Sequence, residues 1–336
     1  MQNTVDKSNF KDVVKNYPKQ FAKALDFAKD VKIEGQFENV IVCGLGGSAL
    51  PVDMVISYLK SKNINFPISV CRNYTLPVEA NEKSLIIASS FSGSTEETIS
   101  CLNEALAKNY KVVGIARGKD ILEICQSKNI PYIQYPDDGP TFQPRCASGY
   151  IFTSIVTILS KIKVLENIEN DLTNLGKFLE SINIEQEKAG QELAPKLKNN
   201  IPLIYTTEFY RDSIARIFKI KLNENAKTQS FFNYFPELNH NEMVGFTNLV
   251  GKYFIIILQD PNDHDRNKKR MNIFKNLLEQ KGISVEIILM KGNSVLEKIF
   301  ASSLLADWTS YYLALAYNQD PTPVNMVEEF KELMKK

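Results

Sequence analysis

The chain has 336 residues, of which 44% are hydrophobic and 24% are charged, so it is long enough to form two domains with substantial cores. Its formal net charge is +1, which gives no reason to expect general binding to nucleic acid or to an anionic membrane. The most apolar long segment, residues 295–317, contains Glu297, Lys298 and Asp307. We therefore predict a buried helix there and no membrane span.

The cysteines and the N-terminus indicate a reducing compartment. The number of cysteines is odd and none of them has CxxC spacing, which favours free thiols over a disulfide framework or a zinc ribbon: Cys43, Cys71, Cys101, Cys125 and Cys146. The first twelve residues mix charges and lack an apolar core, so we expect no signal peptide. Together these features predict a cytoplasmic protein.

In the first half of the chain, short β-branched segments alternate with amphipathic stretches. The pattern predicts helices after Ser48, after Thr95 and after Lys119. It predicts strands near residues 40–43, 68–71, 85–88, 112–115 and 132–134. Such alternation is typical of an α/β domain with a parallel sheet covered on both faces, which we place at residues 1–150.

The second half repeats this alternation after a long helical stretch. Residues 151–197 are rich in Leu, Ile, Lys and Glu and are predicted to form a helical connection. A second domain over residues 198–336 is then expected, with strands at 203–205, 253–258 and 285–289 and helices at 210–221 and 266–281. The last segment, "DPTPVNMVEEFKELMKK", predicts a short charged helix that packs back on the protein.

Two short stretches, "VIVCGLGGSALP" and "IIASSFSGSTEET", each read as a buried strand, a loop of Gly, Ser and Thr, and a helix. Such a loop offers backbone N–H groups to a phosphate. "GLGGSA" also matches the dinucleotide fingerprint through Gly44, Gly46 and Ala49, but the next strand leads into Arg72 and has no carboxylate for a ribose. Because Arg72 suits a 2′-phosphate, a nicotinamide-dependent enzyme stays open as an alternative.

The second loop is less typical of a dinucleotide site. Ser90, Ser92, Ser94 and Thr95 place up to four hydroxyls beside the start of a helix, which is enough to surround one phosphate. Thr95 alone is equally well explained as an ordinary helix N-cap.

Five motifs in order, "GLGGSA", "SFSGSTEET", "PRCASGY", "NENAK" and "ELNHNEMVG", resemble the sugar-isomerase (SIS) fold and, within it, the bifunctional phosphoglucose/phosphomannose isomerase family. The resemblance implies two SIS-type domains, each a parallel sheet flanked by helices, with a hexose 6-phosphate bound between them. By motif position, it implies that the substrate phosphate is held by Gly46, Gly47, Ser48, Ser90, Ser92 and Thr95.

The same resemblance implies a metal-independent isomerase without a cofactor, which converts glucose 6-phosphate, mannose 6-phosphate or both to fructose 6-phosphate through a cis-enediol. In it, Glu224 removes the C2 proton and Arg145 stabilises the enediolate, for which a permanently charged planar guanidinium is suited. His240 opens the sugar ring with help from Lys331. The resemblance also implies a homodimer in which His240 reaches the partner's site. The aromatic loop "FFNYFPELNH" fits an interface or ordinary packing.

Simpler explanations exist for several of these residues. Glu224 can be solvated or form a surface ion pair with Lys221 or Lys227, and Arg145 can pair with Asp137 or Asp138. His264 is expected at a solvated helix start capped by Asp263 or Asp265. The two histidines lack HxH or HExxH spacing, so no zinc site is expected. A non-catalytic SIS module that senses a sugar phosphate would need the loops alone.

Overall fold

The computed structural model describes residues 4–139 and 141–334. The helices and strands of the first part are, in chain order, α1 Phe10–Lys15, α2 Gln20–Ala28, β1 Asn39–Cys43, α3 Leu50–Ser61, β2 Ile68–Cys71, β3 Ser84–Ser90, α4 Glu96–Ala107, β4 Lys111–Ala116, α5 Lys119–Ser127, β5 Tyr132–Gln134, α6 Ser148–Lys161 and α7 Ile168–Leu197. Those of the second part are β6 Ile201–Thr207, α8 Arg216–Asn225, β7 Phe231–Phe235, α9 Glu242–Gly245, β8 Tyr253–Gln259, α10 Asp265–Glu279, β9 Ser284–Leu289, α11 Val295–Ala316 and α12 Asn325–Met334.

The chain divides into two compact units. The N-terminal unit is Asn16–Ser181, and the C-terminal unit joins the segment ending at Lys15 to the segment beginning at Ile182. This division differs from the predicted ranges, because α6 belongs to the N-terminal unit and α1 to the C-terminal unit. Helix α6 is buried over most of its length, and α1 stacks Phe10 on Tyr311 of α11.

The first sheet is parallel throughout and has the strand order β2-β1-β3-β4-β5. All five predicted strands are present. Strand β3 is buried at every residue, as expected for a central strand covered on both faces. One of these faces packs its core side chains against α4 and α5, through Cys101, Leu102 and Ile121 among others. The prediction of a parallel sheet flanked by helices is confirmed for this unit.

The second sheet is also parallel and has the order β7-β6-β8-β9, which repeats the arrangement of the first four strands of the first sheet. The expectation that the aromatic residues 231–235 form a loop is wrong. These residues form the edge strand β7, with Phe235 buried and Phe231 exposed. Aromatic side chains suit such a half-buried strand. The predicted helix at 210–221 begins instead with a π-helical turn, Arg211–Ala215, and continues as α8 to Asn225.

Helix α11 is the long buried helix that the sequence predicted, and α12 departs from expectation. Two charged side chains of α11 are buried: Lys298 forms an ion pair with Asp260, and Asp307 forms one with Lys221. None of the helices in residues 4–139 and 141–334 combines the length and apolar character needed to cross a bilayer. The start of the tail packs on the chain, because Pro321 and Thr322 are buried, whereas helix α12 buries none of its residues.

Candidate active site

The strand order of the first sheet indicates where a ligand binds. In open parallel sheets of order 2-1-3-4-5, the crevice lies at the carboxyl ends of strands 1 and 3, where the chain crosses to opposite faces. Strands β1 and β3 are hydrogen-bonded neighbours, with Cys43 opposite Ala88. The glycine loop leaves β1 and the hydroxyl loop leaves β3, so the fold brings both predicted phosphate loops to one sheet edge.

The glycine loop is a single tight turn at Gly46–Ser48 that leads into α3. Gly46 has φ +51°, a conformation that favours glycine. A Cβ at Gly47 would lie 2.6 Å from the backbone N of Arg145 and 2.7 Å from the carbonyl O of Pro144. Gly47 therefore permits the turn Pro144–Cys146, which carries Arg145, to pack directly on the glycine loop.

The hydroxyl loop follows β3 and opens α4. Ser90 Oγ hydrogen-bonds Thr95 Oγ1 at 2.7 Å and accepts the N–H of Gly93 at 3.1 Å, while Ser92 Oγ lies 3.4 Å from Ser90 Oγ. Thr95 occupies the N-cap position of α4, but its side chain forms no capping hydrogen bond. In the described chain, the first N–H groups of α4 therefore have no side-chain cap, and an anion is a suitable acceptor for them.

Ser48 fixes the spacing between the two loops. Its Oγ accepts the backbone N–H of Phe91 at 2.9 Å, and its carbonyl O accepts the hydroxyl of Ser89 at 3.2 Å. Ser48 is buried. Because its Oγ is already an acceptor, the Ser48 hydroxyl proton is available to a negatively charged group in the crevice.

Arg145 is a buried cation at the same edge, with 3% of its surface exposed. Its Nη1 donates to Gln143 Oε1 at 3.3 Å. The carboxylates considered as alternative partners have other cations: Asp137 pairs with Arg117 at 3.4 Å and Asp138 with Lys23 at 3.6 Å. Arg145 thus places a permanently charged, planar guanidinium beside the glycine loop.

In the C-terminal unit, Glu224 lies in the last turn of α8, not after the helix as the sequence suggested. It is half-buried. Lys221 is not the surface partner expected for it, because Lys221 is buried and forms an ion pair with Asp307 of α11 at 2.7 Å. One turn later, the buried Asn225 Nδ2 donates to Ser310 Oγ at 2.9 Å. These two contacts fix the end of α8, and hence the backbone of Glu224, against α11.

Lys227 stabilises the chain just beyond Glu224. It has φ +56°, and its Nζ donates to the carbonyl oxygens of Glu224 at 2.7 Å and Pro321 at 3.0 Å. A lysine ammonium that binds helix-terminal carbonyls compensates groups that have no intrahelical partner.

His240 ends a short 3-10 helix, Glu237–His240, and is exposed. The segment is tied to the second sheet through Glu242, whose carboxylate accepts hydrogen bonds from the hydroxyl of Tyr205 on β6 and the amide of Asn233 on β7. Burial, together with the charge of Glu242, raises the pKa of Tyr205 well above its ordinary value, so Tyr205 remains a donor. The position of His240 therefore depends on a sheet-anchored glutamate that the sequence reading did not single out.

Lys331 lies on α12, is exposed and forms an ion pair with Glu328 at 2.8 Å. No residue of α12 is buried. The structure thus brings Gly46, Gly47, Ser48, Ser90, Ser92, Thr95 and Arg145 together within the N-terminal unit, and it places Glu224, His240 and Lys331 on three separate elements of the C-terminal unit.

The corresponding edge of the second sheet carries a closed polar network that the sequence reading missed. Asp260, directly after β8, accepts hydrogen bonds from Lys298 Nζ and the hydroxyl of Tyr210, both at 2.6 Å. Thr207, the last residue of β6, donates to Asp263 at 3.1 Å.

The predicted caps of α10 are wrong, because the N-cap is His264, whose Nδ1 accepts the backbone N–H of Arg266 at 3.1 Å.

Three of the five cysteines converge in the core of the first sheet. The Sγ atoms of Cys43, Cys71 and Cys101 all lie within 4.8 Å of one another, although the chain has no CxxC spacing. A signal was present in the sequence, because Cys43 and Cys71 end two predicted strands, which the structure pairs with these residues opposite each other. Within the described residues, these three thiols form a group whose ligand atoms are close enough together to hold a metal ion.

Comparisons with known proteins agree with this architecture. Residues 186–334 match the family described as the bacterial phospho-glucose isomerase C-terminal SIS domain. The chain is 34% identical over 331 residues to a bifunctional phosphoglucose/phosphomannose isomerase of Caldicellulosiruptor bescii, which covers 95% of this chain and 96% of the relative. It is 32% identical over 326 residues to one of the same name from Aquifex aeolicus, covering 96% of this chain and 98% of the relative.

Among solved structures, a similar one is the C-terminal domain of glucosamine-fructose-6-phosphate aminotransferase from Francisella tularensis. The TM-score is 0.72 at 14% sequence identity, and the match covers 95% of this chain and 100% of that chain. This similarity concerns the fold.

Proposed function

We propose that this chain, which belongs to the bifunctional phosphoglucose/phosphomannose isomerase family, is an enzyme that converts glucose 6-phosphate, mannose 6-phosphate or both to fructose 6-phosphate. The observation that carries the proposal is the pair of loops at the β1 and β3 ends, with several hydroxyls, an uncapped helix start and the buried Arg145. Such a site suits a dianionic phosphate on a small polar molecule.

The phosphate ligands in this proposal are the hydroxyls of Ser48, Ser90, Ser92 and Thr95, with Gly46 and Gly47 admitting the phosphate close to the backbone. Ser48 and Ser90 are already fixed by hydrogen bonds from Phe91 N and Gly93 N. Donors that are held in place before the ligand arrives lose little freedom on binding, which strengthens the interaction. The phosphate then positions the sugar carbons for the chemical step.

The proposed reaction moves one proton between two carbons and needs no oxidant. Glu224 takes the proton from C2 while the C1 carbonyl oxygen gains a proton, which gives a cis-enediol. The proton then returns from Glu224 to C1 as the O2 hydroxyl loses its proton and becomes the ketone. Arg145 stabilises the negative charge that develops on the two oxygens. We assign ring opening to His240, with Lys331 as its helper.

A coupled assay with each sugar phosphate, run in the presence of EDTA, tests this function. We expect turnover of at least one of the two substrates. Glu224→Gln should lower kcat by about 100-fold to 10,000-fold and leave KM within a few-fold, because a proton-transferring group acts in the transition state. Glu279→Gln, at an exposed glutamate of α10, is the matched control and should keep full activity.

Two results, one from a binding measurement and one from this assay, would contradict the proposal. Binding of a sugar phosphate without turnover would indicate the non-catalytic sensing module. Turnover that requires NAD or NADP would indicate the nicotinamide-dependent enzyme, although Arg72, the candidate for a 2′-phosphate, forms an ion pair with Asp53 at 2.8 Å.

We also propose a homodimer in which His240 acts in the site of the partner subunit, in a cytoplasmic enzyme with five buried free cysteines. The support is the surface of the segment that carries His240: Val244, Leu249 and Val250 are exposed apolar residues close to it in sequence, and His240 itself is exposed. Apolar residues around an exposed functional side chain are typical of an interface.

Mixing two inactive variants tests the shared site. Glu224→Gln and His240→Ala chains, each nearly inactive, should regain activity when co-refolded, because about a quarter of the sites in a random mixture of two-fold dimers contain both wild-type residues. The Glu224→Gln variant refolded alone is the control. If mass spectrometry detects heterodimers and no activity returns, His240 does not act across the interface.

A further inference from the structure

We infer that the thiol cluster Cys43, Cys71 and Cys101 is a binding site for a thiophilic metal ion such as Zn²⁺ or Cd²⁺. Cys43 and Cys71 end the adjacent strands β1 and β2, and Cys101 projects from α4, which covers that face of the sheet. All three are buried. The site lies in the core of the N-terminal unit and plays no part in the proposed isomerase chemistry.

The sulfur separations suit a metal better than a disulfide. With Zn–S bonds of about 2.3 Å, the sulfurs of a tetrahedral site lie about 3.8 Å apart. The Sγ atoms of Cys71 and Cys101 are 3.7 Å apart, and all three pairs lie within 4.8 Å. A disulfide requires a separation of about 2.05 Å, so two of the sulfurs would have to move much closer together than they are. The third sulfur would not take part in the bond.

Oxygen atoms also converge on the cluster from the loop after β2. The carbonyl O of Asn73 lies 3.2 Å from Cys101 Sγ and 3.9 Å from Cys71 Sγ, and the carbonyl O of Thr75 lies 3.1 Å from Cys71 Sγ. The thiols donate to these carbonyls in the absence of a metal. With three sulfur ligands in place, the Asn73 carbonyl or a water would supply the fourth ligand of a tetrahedral ion.

The surroundings support both binding and access. A metal ion binds the thiolate form of cysteine, so the S–H protons of the three thiols are released when the metal binds. Asn73 and Tyr74 are exposed, so the loop that contributes the carbonyl groups lies at the protein surface, on the side from which a metal ion would enter. The three cysteines belong to a buried core cluster that also contains apolar residues such as Ile41 and Ile86.

Titration of the reduced, chelator-treated protein with Co²⁺ tests the site, because tetrahedral cobalt thiolates give intense visible and near-ultraviolet bands. We expect one Co²⁺ per chain with these bands, displacement by Zn²⁺, and a higher Tm with Cd²⁺, since the ligand binds the folded state. Cys101→Ser should lose the bands and the Tm shift. Cys125→Ser, in the same core but outside the cluster, is the matched control and should keep both.

Circular dichroism establishes that the variants are folded, and Cys71→Ser provides a second variant if Cys101→Ser does not fold. The Cd²⁺ measurement on the wild-type protein is independent of any variant. Absence of thiolate-to-metal bands in wild-type protein, whether native or refolded with Co²⁺, would overturn the inference. So would an octahedral cobalt spectrum, equal bands in Cys101→Ser, or a reduced protein that forms a Cys71–Cys101 disulfide with a mild oxidant yet binds no metal.

Discussion

The two sheets of the chain place their strands in the same order, yet the polar groups at the ends of corresponding strands differ in charge and in partners. At the β1 and β3 ends these groups are the neutral hydroxyls of Ser48, Ser90 and Thr95. At the β6 and β8 ends the carboxylates Asp260 and Asp263 take their place, with the ammonium of Lys298. The corresponding edges therefore differ in charge: the second carries carboxylates where the first carries neutral hydroxyls beside the buried Arg145.

The difference extends to how completely each edge is satisfied. In the first sheet, the start of α4 has no side-chain cap within the described residues, and Ser48 keeps a proton to donate. In the second sheet, Asp260 binds Lys298, Tyr210 and the backbone N–H of Asn262. The donors at this edge already bind Asp260 and are not available to an anion. The two carboxylates would also repel an anionic ligand. In the proposed function, side-chain chemistry and not strand order decides which of the two crevices suits an anionic ligand.

The largest expected effect comes from breaking the closed network. Lys298 and Asp260 have 3% and 8% of their side chains exposed, so Lys298→Ala leaves a buried carboxylate without its cation. We expect the free energy of unfolding to fall by about 3–5 kcal/mol, measured by urea denaturation, with no change in the KM of the folded enzyme. Lys298→Met separates the loss of charge from the loss of packing.

Lys268→Ala is the control for this prediction, because Lys268 forms an ion pair with the exposed Asp265. That pair should contribute less than about 1 kcal/mol. Equal losses of stability in the two variants, or a KM that rises in Lys298→Ala, would show that the second edge is not a purely structural network.

A second, smaller effect should separate the two edges by function. Thr95→Ala removes a proposed phosphate donor, and hydrogen bonds to charged groups contribute about 1.5–3 kcal/mol, so KM should rise by about 10-fold to 100-fold. Thr207→Ala, at the end of β6, removes the donor to Asp263 and should lower stability by about 1–3 kcal/mol without changing KM. Steady-state kinetics and thermal denaturation of both variants provide the measurements. The reverse pattern would place the phosphate at the second sheet.

Local patterns were sufficient to predict most of the fold. Strands β1 to β6, β8 and β9 are apolar runs bounded by turn residues, and the phosphate loops follow two of them directly. Strand β7 was missed because its four aromatic residues were attributed to an interface loop, although Phe and Tyr also favour strands. The resemblance to a family supplied the roles of Glu224, His240 and Arg145, which residue patterns alone left open.

Features that depend on distant partners could not be predicted. Lys298 and Asp260 are 38 residues apart in sequence, and each on its own reads as a surface charge. Cys101 lies 30 residues from Cys71, so the thiol cluster has no motif. Glu242 reads as one more acid beside His240 until the pairing of β6 and β7 brings Tyr205 and Asn233 to it.

The smallest expected effect concerns pH and distinguishes two carboxyls of the same edge. Burial favours the neutral form of Asp260, but hydrogen bonds from Lys298 and Tyr210 outweigh it and hold the pKa of Asp260 below its ordinary value. Burial raises the pKa of Asp263 above its ordinary value, and the charge of Asp260 adds to this effect. The stabilisation by Asp260 is therefore complete above the ordinary carboxyl pKa, whereas ionisation of Asp263 becomes a growing cost as pH rises.

Unfolding free energies of the wild type, Asp260→Asn and Asp263→Asn between about pH 3 and pH 7 test this contrast, because the ordinary aspartate pKa of about 3.9 lies within that range. The advantage of the wild type over Asp260→Asn should shrink as pH falls. In the unfolded chain Asp260 takes up a proton near its ordinary pKa, whereas in the folded protein it does so only below its lowered pKa. Relative to Asp263→Asn, the wild type should instead lose stability as pH rises through the ordinary pKa of Asp263 toward its raised value. Each pKa unit corresponds to about 1.4 kcal/mol, which sets the size of both slopes. If the advantage of the wild type over Asp260→Asn instead fell as pH rose, Lys298 would not outweigh burial at Asp260. If stability relative to Asp263→Asn rose with pH, burial would not raise the pKa of Asp263.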